Sequence, residues 1–273
     1  MPRFSASRTL LAGGALMFAV VFGGGATAQP GAYVPNFQSD PDGWAHPFGG
    51  EFPDVQGSAR PMHQDPKYPF ITPQQSFRIG DLRNPNIKPW AKEVMAKDID
   101  EIVNHGKIQF TANSSCLPMG VPMFALGVGP FYILQTPKMV VFMEEAGQQV
   151  RRVYLNVPHS PNAKTSWYGE SVGHYEGDTL VIDTVGLNTK TVVEPYRTPH
   201  TEKLHVSERW RLIDGGNGLQ VDITVDDPDT YYQPWSTYQR YQRGDRPLSE
   251  FICAENNTNL FDYHMPVALQ PDF

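Results

Sequence analysis

Apolar and polar residues alternate with a period of two along most of the second half of the chain, the spacing of half-buried strands. Phe131–Gln135 and Met139–Glu144 are β-type runs, Gly147 and Gln148 offer a turn, and 150–157 reads as the return strand. The run 171–176, then Gly177-Asp178, then Thr179–Val185 has the form of a tight hairpin, with glycine where a type II′ turn needs it. A second hairpin joins 204–213 to 219–225 through the turn 214–218, and 231–241 reads as a further strand ending near Gly244. Seven to nine strands joined mostly by local turns predict an antiparallel meander, which a curled sheet or barrel would relieve of exposed edges.

One helix interrupts this pattern. Over 89–107 the residues Val94, Met95, Ile99, Ile102 and Val103 recur at three- and four-residue spacing, Pro89 suits the first turn, and Gly106 can supply a left-handed stop. Its apolar stripe is expected to pack on the sheet that follows. Residues 29–88, rich in Pro, Gly, Asp and Gln, show no sustained period and read as an extended arm that wraps a core or stays partly mobile. The fold class is therefore mainly β, with one flanking helix and an N-terminal arm. The helix and strands form one unit over 89–273.

Composition narrows the classes. With 24 Gly and 25 Pro in 273 residues, the chain is too rich in breakers for a helix bundle, and at 40% hydrophobic it is too apolar for wholesale disorder. Residues 1–28 read as a cleaved signal peptide, with Arg3 and Arg8, an apolar run from Leu10 to Phe22, and Ala26-Thr27-Ala28 before Gln29. The apolar run is shorter than the roughly 20 residues a helical span needs, and no later run supplies one. Export to the periplasm or the extracellular space is expected. Cleavage would remove two arginines and no acid, moving the net charge from −7 to −9. Such a surface repels phosphate backbones, and no basic stripe interleaved with aromatics is present, so no nucleic-acid partner is expected. In an oxidising compartment Cys116 and Cys253 are expected to form a disulfide, the alternative being two buried thiols.

Strand parity then picks out candidates for chemistry. Leu204, Val206, Glu208, Trp210 and Leu212 share one face, so Glu208 sits in an apolar row, where an unpaired carboxylate is costly. It is either a structural partner of an arginine on a neighbouring strand, Arg152 being one choice, or an acid or base facing a pocket. Asp183 lies among β-branched neighbours, and His159, His200 and His205 sit nearest the strand ends, where imidazole can move protons near neutral pH. Glu208, His200, His205 and Asp183 are the catalytic candidates; His159, Arg209, Asp222 and Trp235 are candidate ligand contacts. No metal site is expected, because His205 and Glu208 point to opposite faces of a strand and the segment lacks the helical two-histidine spacing. Motifs for a serine nucleophile, a phosphate loop or a dinucleotide are absent, and no cofactor is expected.

The passage 169–188, Gly-Glu-Ser-Val-Gly-His-Tyr-Glu-Gly-Asp-Thr-Leu-Val-Ile-Asp-Thr-Val-Gly-Leu-Asn, with Cys-Leu-Pro-Met-Gly-Val-Pro at 116–122 and Pro-His-Thr-Glu-Lys-Leu-His-Val-Ser-Glu-Arg at 199–209, resembles an uncharacterised group of exported bacterial proteins. That resemblance spans about 89–235 and brings no catalytic residues with it. More distantly, the Gly-x-Tyr-Glu-Gly hairpin looks like those of calycin-type barrels, the lipocalin and nitrobindin-like folds, which implies a barrel holding a small hydrophobic ligand. The lipocalin Gly-x-Trp signature is missing near residue 29. Two functions are thus carried forward. One is an exported binding protein for a small hydrophobic or aromatic molecule, with aromatics such as Trp235 lining its cavity. The other is a cofactor-independent isomerase, lyase or hydrolase that uses a histidine and a carboxylate on a small organic substrate.

Overall fold

The computed structural model describes residues 34–38, 42–45, 52–68, 78–106, 112, 116–127, 129–145, 150–245 and 247–253. The signal peptide expected over 1–28, parts of the arm (29–33, 39–41, 46–51 and 69–77), and the turn at Gly147 and Gln148 lie outside the described residues. The alternating runs become strands β1 (Trp44–Ala45), β2 (Phe131–Gln135), β3 (Met139–Glu144), β4 (Arg151–Leu155), β5 (Glu170–Glu176), β6 (Thr179–Val185), β7 (His205–Ile213), β8 (Gly218–Asp226) and β9 (Trp235–Arg243). Each strand pairs with its neighbours in sequence, and β1 closes the ring between β2 and β9, giving a closed mainly-β barrel without free edges. The turn between β5 and β6 uses Gly177 at φ +61°, as the hairpin reading requires.

Two features depart from the simple meander. The arm is partly structural: Trp44 pairs with both Phe131 and Arg243, so a two-residue strand from the Pro/Gly-rich region completes the barrel. In addition, β4 and β5 run parallel, with Val153 opposite Ser171 and Leu155 opposite Gly173. A parallel neighbour cannot be reached by a tight turn, so the chain crosses over through the loop 156–169 before starting β5.

Inward positions fill the barrel. Phe131, Phe142, Trp210 and Tyr241 meet as a ring cluster, with Trp210 stacked on Tyr241 at a centroid distance of 5.9 Å. The short helix α2 (Met123–Leu126) adds Phe124, which packs edge-on against Phe131, Phe142 and Tyr168. The Tyr241 hydroxyl donates to the Ala125 carbonyl and fastens α2 to the cluster. Gln135 ties the arm to the strands, accepting from the Phe37 N–H and donating to the Pro35 carbonyl and the Tyr175 hydroxyl.

Helix α1 forms over Pro89–His105 and ends at Gly106 in the left-handed conformation, φ +61°. It buries Ala91, Met95 and Ile102, whereas Val94 and Val103 of the expected stripe stay exposed. Its anchors are loops and the arm instead of the sheet face expected from its periodicity. Asp98 pairs with Arg197 at 2.8 Å, the Trp90 indole N–H donates to the Asp229 carbonyl, and the Met95 methyl fills space left by Gly80, where a Cβ would lie 2.9 Å from it. No helix of the described residues is long and apolar enough to cross a membrane. Cys116 and Cys253 are joined by a disulfide with their Cα atoms 5.5 Å apart.

Candidate functional site

Strand parity and the crossover meet on the outer face of the barrel. On β6 the inward residues are Leu180, Ile182 and Thr184, which turns Asp183 outward. Its cross-strand neighbours are Val172 on β5 and Ser207 on β7. His205 opens β7 on the same outer face, and the crossover loop brings His159 across from the other side. Asp183 is thereby held between two imidazoles. Its Oδ2 accepts from His159 Nε2 at 2.7 Å, and its Oδ1 from His205 Nε2 at 2.6 Å and from the Ser207 hydroxyl at 3.3 Å.

A second carboxylate fixes the far side of His159. Glu170, the first residue of β5, lies 3.0 Å from His159 Nδ1 and accepts from both the N–H and the hydroxyl of Ser160 at 2.6 Å. The Ser160 hydroxyl and N–H hold the Glu170 carboxyl below the usual range. Burial pushes Asp183 upward, but hydrogen bonds from His205 and His159 outweigh it and leave the carboxyl below its ordinary value. Ionised carboxylates only accept, so both histidines face Asp183 as donors, and both His159 contacts are hydrogen bonds only when both its ring nitrogens carry protons. His205 differs: its Nε2 is committed to Asp183, while its Nδ1 has no hydrogen-bond partner among the described residues. The ring stays part-exposed, with a lone pair turned away from its anchor.

This is the geometry of an oriented acid–base dyad, with Asp183 fixing the tautomer and stabilising the imidazolium formed when His205 takes a proton. It does not fit a metal. Ligands about 2.0–2.1 Å from a tetrahedral zinc stand about 3.3 Å apart, whereas these nitrogens and oxygens are in direct hydrogen-bond contact. No group of three His, Cys, Asp or Glu among the described residues could hold a metal ion.

The other sequence candidates lie elsewhere. Glu208 faces the interior, fully buried, and pairs through both oxygens with Arg151; the Arg151 guanidinium also donates to Ser171 at 3.3 Å and Thr184 at 3.1 Å. Its partner is thus Arg151 and not Arg152, which points outward from the same strand. Glu208 thus lies on the inner face of the sheet, with Asp183 and His205 on the outer one. His200 is buried between the Thr191 hydroxyl and the Thr201 carbonyl, each at 2.9 Å, and burial lowers its pKa. Arg209 pairs with Glu176 on the surface, Asp222 accepts from Arg211 and Gln220, and Trp235 is core, packed against Tyr231. The structure therefore brings together Asp183, His205 and His159 and leaves the remaining candidates apart.

Glu170, Ser160 and Ser207 were not singled out in the sequence. Parity places Ser207 beside His205 on the polar face, but nothing local announces that Glu170 meets a loop ten residues away. Two buried carboxyls were also missed. Burial pushes Glu144 up to about 8 and Glu194 to about 7, the latter against opposing hydrogen bonds from Thr198 and the Tyr196 N–H. No protein-family model matches the chain, and no curated protein or solved structure matches it either.

Proposed function

We propose that this is an exported protein that catalyses proton transfer on a small organic substrate, with His205 as the acid–base group, Asp183 as its orienting partner, and His159 and Glu170 holding Asp183 in place. The observation that carries this reading is the Asp183 carboxylate held between two imidazoles, while the part-exposed His205 ring has no hydrogen-bond partner for Nδ1 among the described residues. In the reaction a substrate C–H or O–H proton moves to Nδ1, the imidazolium is stabilised by Asp183, and the proton returns to the substrate at a second position or to its leaving group. The step needs no cofactor and no protein nucleophile, which suits an isomerase or lyase best. Export is supported by the leader-like start of the chain and by the Cys116–Cys253 disulfide.

The alternative is an interior site for a small hydrophobic or aromatic molecule. What supports the outer face over the interior is that Phe131, Phe142, Trp210, Tyr241 and the Arg151–Glu208 pair already occupy the inward positions. The test uses 5-nitrobenzisoxazole, whose ring C–H proton passes to a base as its N–O bond breaks to release a coloured cyanophenolate. The wild type should outpace free imidazole at equal concentration, and His205→Gln and Asp183→Asn should each lose that advantage. A wild-type rate equal to imidazole, or a His205→Gln variant as fast as wild type, overturns the reading.

A further inference from the structure

The crossover loop that carries His159 is tied to the barrel at its two ends and at one place between them. The Asn156 N–H donates to the Gly173 carbonyl at 2.8 Å, and the Ser166 N–H donates to the Gly186 carbonyl at 3.0 Å. Among the described residues, His159 and Ser160 supply every hydrogen bond that 157–165 make to the rest of the protein, and all of them go to Glu170 or Asp183. Ala163 follows, its methyl set against Gly186, where a Cβ would stand 3.6 Å from it. The middle of the loop therefore depends on what His159 and Ser160 can hold.

His159 spans two strands. Its Nδ1 lies 3.0 Å from Glu170 of β5 and its Nε2 lies 2.7 Å from Asp183 of β6. Both carboxyls are held below their ordinary range, so each is an acceptor from mildly acidic pH upward. An imidazolium satisfies both with its two N–H groups. A neutral imidazole has one N–H and one lone pair, so one of these contacts then sets a lone pair against a carboxylate oxygen at hydrogen-bond distance. Two acceptors repel there, and a neutral His159 can keep only one of its strands. No other cation takes over: apart from the histidines, no cation among the described residues pairs with Glu170 or Asp183, and Arg152 on β4 and Lys164 on the loop itself make no ion pair. His205 on β7 approaches Asp183 by the other oxygen, and Asp226 of β8 stands opposite His205.

We propose that His159 is a pH-operated latch: protonated, it bridges β5 and β6 and closes the loop 157–165 onto the barrel; neutral, it lets one strand go and the loop loosens. The latch does not require His205 to be a catalyst. Its effect on turnover does rest on the acid–base reading, since opening it breaks the line of contacts from Glu170 through His159 to Asp183. All three groups are part-exposed, so the change is local, moving the loop while contributing little to global unfolding.

The experiment follows the Ala163 methyl of the full chain by carbon relaxation at about pH 5.5 and about pH 9, a span across which imidazole passes from charged to neutral. An alanine methyl moves with its backbone, and its order parameter in the wild type should fall from about 0.85 to below about 0.6 between the two. His159→Gln, whose side chain does not titrate, should give the same order parameter at both pH values. His205→Gln leaves the loop's contacts in place and should show the wild-type fall. An Ala163 methyl equally ordered at both pH values in the wild type, a fall of full size in His159→Gln, or loss of the fall in His205→Gln overturns the proposal. Because the readout is motion and not turnover, failure of the latch and failure of the acid–base site are read independently.

Discussion

Arg151 on β4 and Glu208 on β7 meet inside the barrel with neither side chain exposed to solvent, joined through both carboxylate oxygens. They do not sit on adjacent strands; Thr184 of β6 and Ser171 of β5 lie between them and accept further hydrogen bonds from the guanidinium. Removing one partner leaves a buried charge alone, whereas removing both leaves only the Ser171 and Thr184 hydroxyls, which hydrogen-bond each other at 2.8 Å. Glu208→Gln should therefore lose about 3–5 kcal/mol of unfolding free energy, and the double replacement Arg151→Met with Glu208→Leu should recover most of it. Urea denaturation of the three proteins measures both.

Asp183 calls for the opposite outcome. Its side chain is 39% exposed, so loss of its charge should cost no more than about 1 kcal/mol of stability. Asp183→Asn should nevertheless remove the preference of His205 for carrying its proton on Nε2. Nitrogen chemical shifts of the imidazole report this directly, and a mixed tautomer in Asp183→Asn with a fixed one in the wild type is the expected result.

The disulfide gives a third test. Cys116 and Cys253 are separated by 137 residues, and closing a loop of that size stabilises by about 4–5 kcal/mol in the chain-entropy account. The double Cys→Ser variant should unfold at a correspondingly lower denaturant concentration, and adding reductant to the wild type should reproduce the shift.

Stability should also fall on the alkaline side of neutrality. Glu144 and Glu194 have folded-state pKa values raised to about 8 and about 7 from the ordinary 4.5, so the folded chain keeps protons that the unfolded chain has released. Their favourable contribution is complete below pH 4.5 and is lost as pH rises through those values. His200, whose pKa is lowered from 6.5, acts with the opposite sign only below that pH. Above it the slope belongs to the carboxyls, at up to about 1.4 kcal/mol per pH unit per group. Denaturation curves from pH 6.5 to 8 should show the decline, and Glu144→Gln should flatten it.

The hairpins were legible because alternation is a local property: the bounds of β2, β3 and β6 follow from residue order alone, and so does the inward face of Glu208. The partner of Glu208 follows from the same rule once Val153 and Leu155 are taken as the buried positions, since parity then turns Arg151 inward and Arg152 out. Strand direction is not encoded by alternation, so β4 and β5 look like any other pair until their connection is traced. Trp44–Ala45 is too short to carry a period at all. Asp183 and His205 could be nominated singly from their outward positions or strand ends, but His159 joins them only because the crossover folds back, which is a long-range event. The helix was legible in extent, while its partners were not, since periodicity tells which face is buried and not what buries it.

That crossover divides the proposed site into two inheritances. Asp183, His205 and Ser207 are built into paired strands and move only if the barrel moves. His159 arrives on a strap fastened by Ser160 to Glu170 and by Ser166, whose N–H donates to the Gly186 carbonyl at 3.0 Å. Residues 161–165 between those fastenings carry no strand pairing, so they can be lengthened, shortened or cut open to place new chain ends without disturbing a ladder. Changes there alter how firmly His159 grips Asp183 while the barrel keeps its stability, leaving the reactivity of His205 adjustable by a handful of residues that the fold itself does not need.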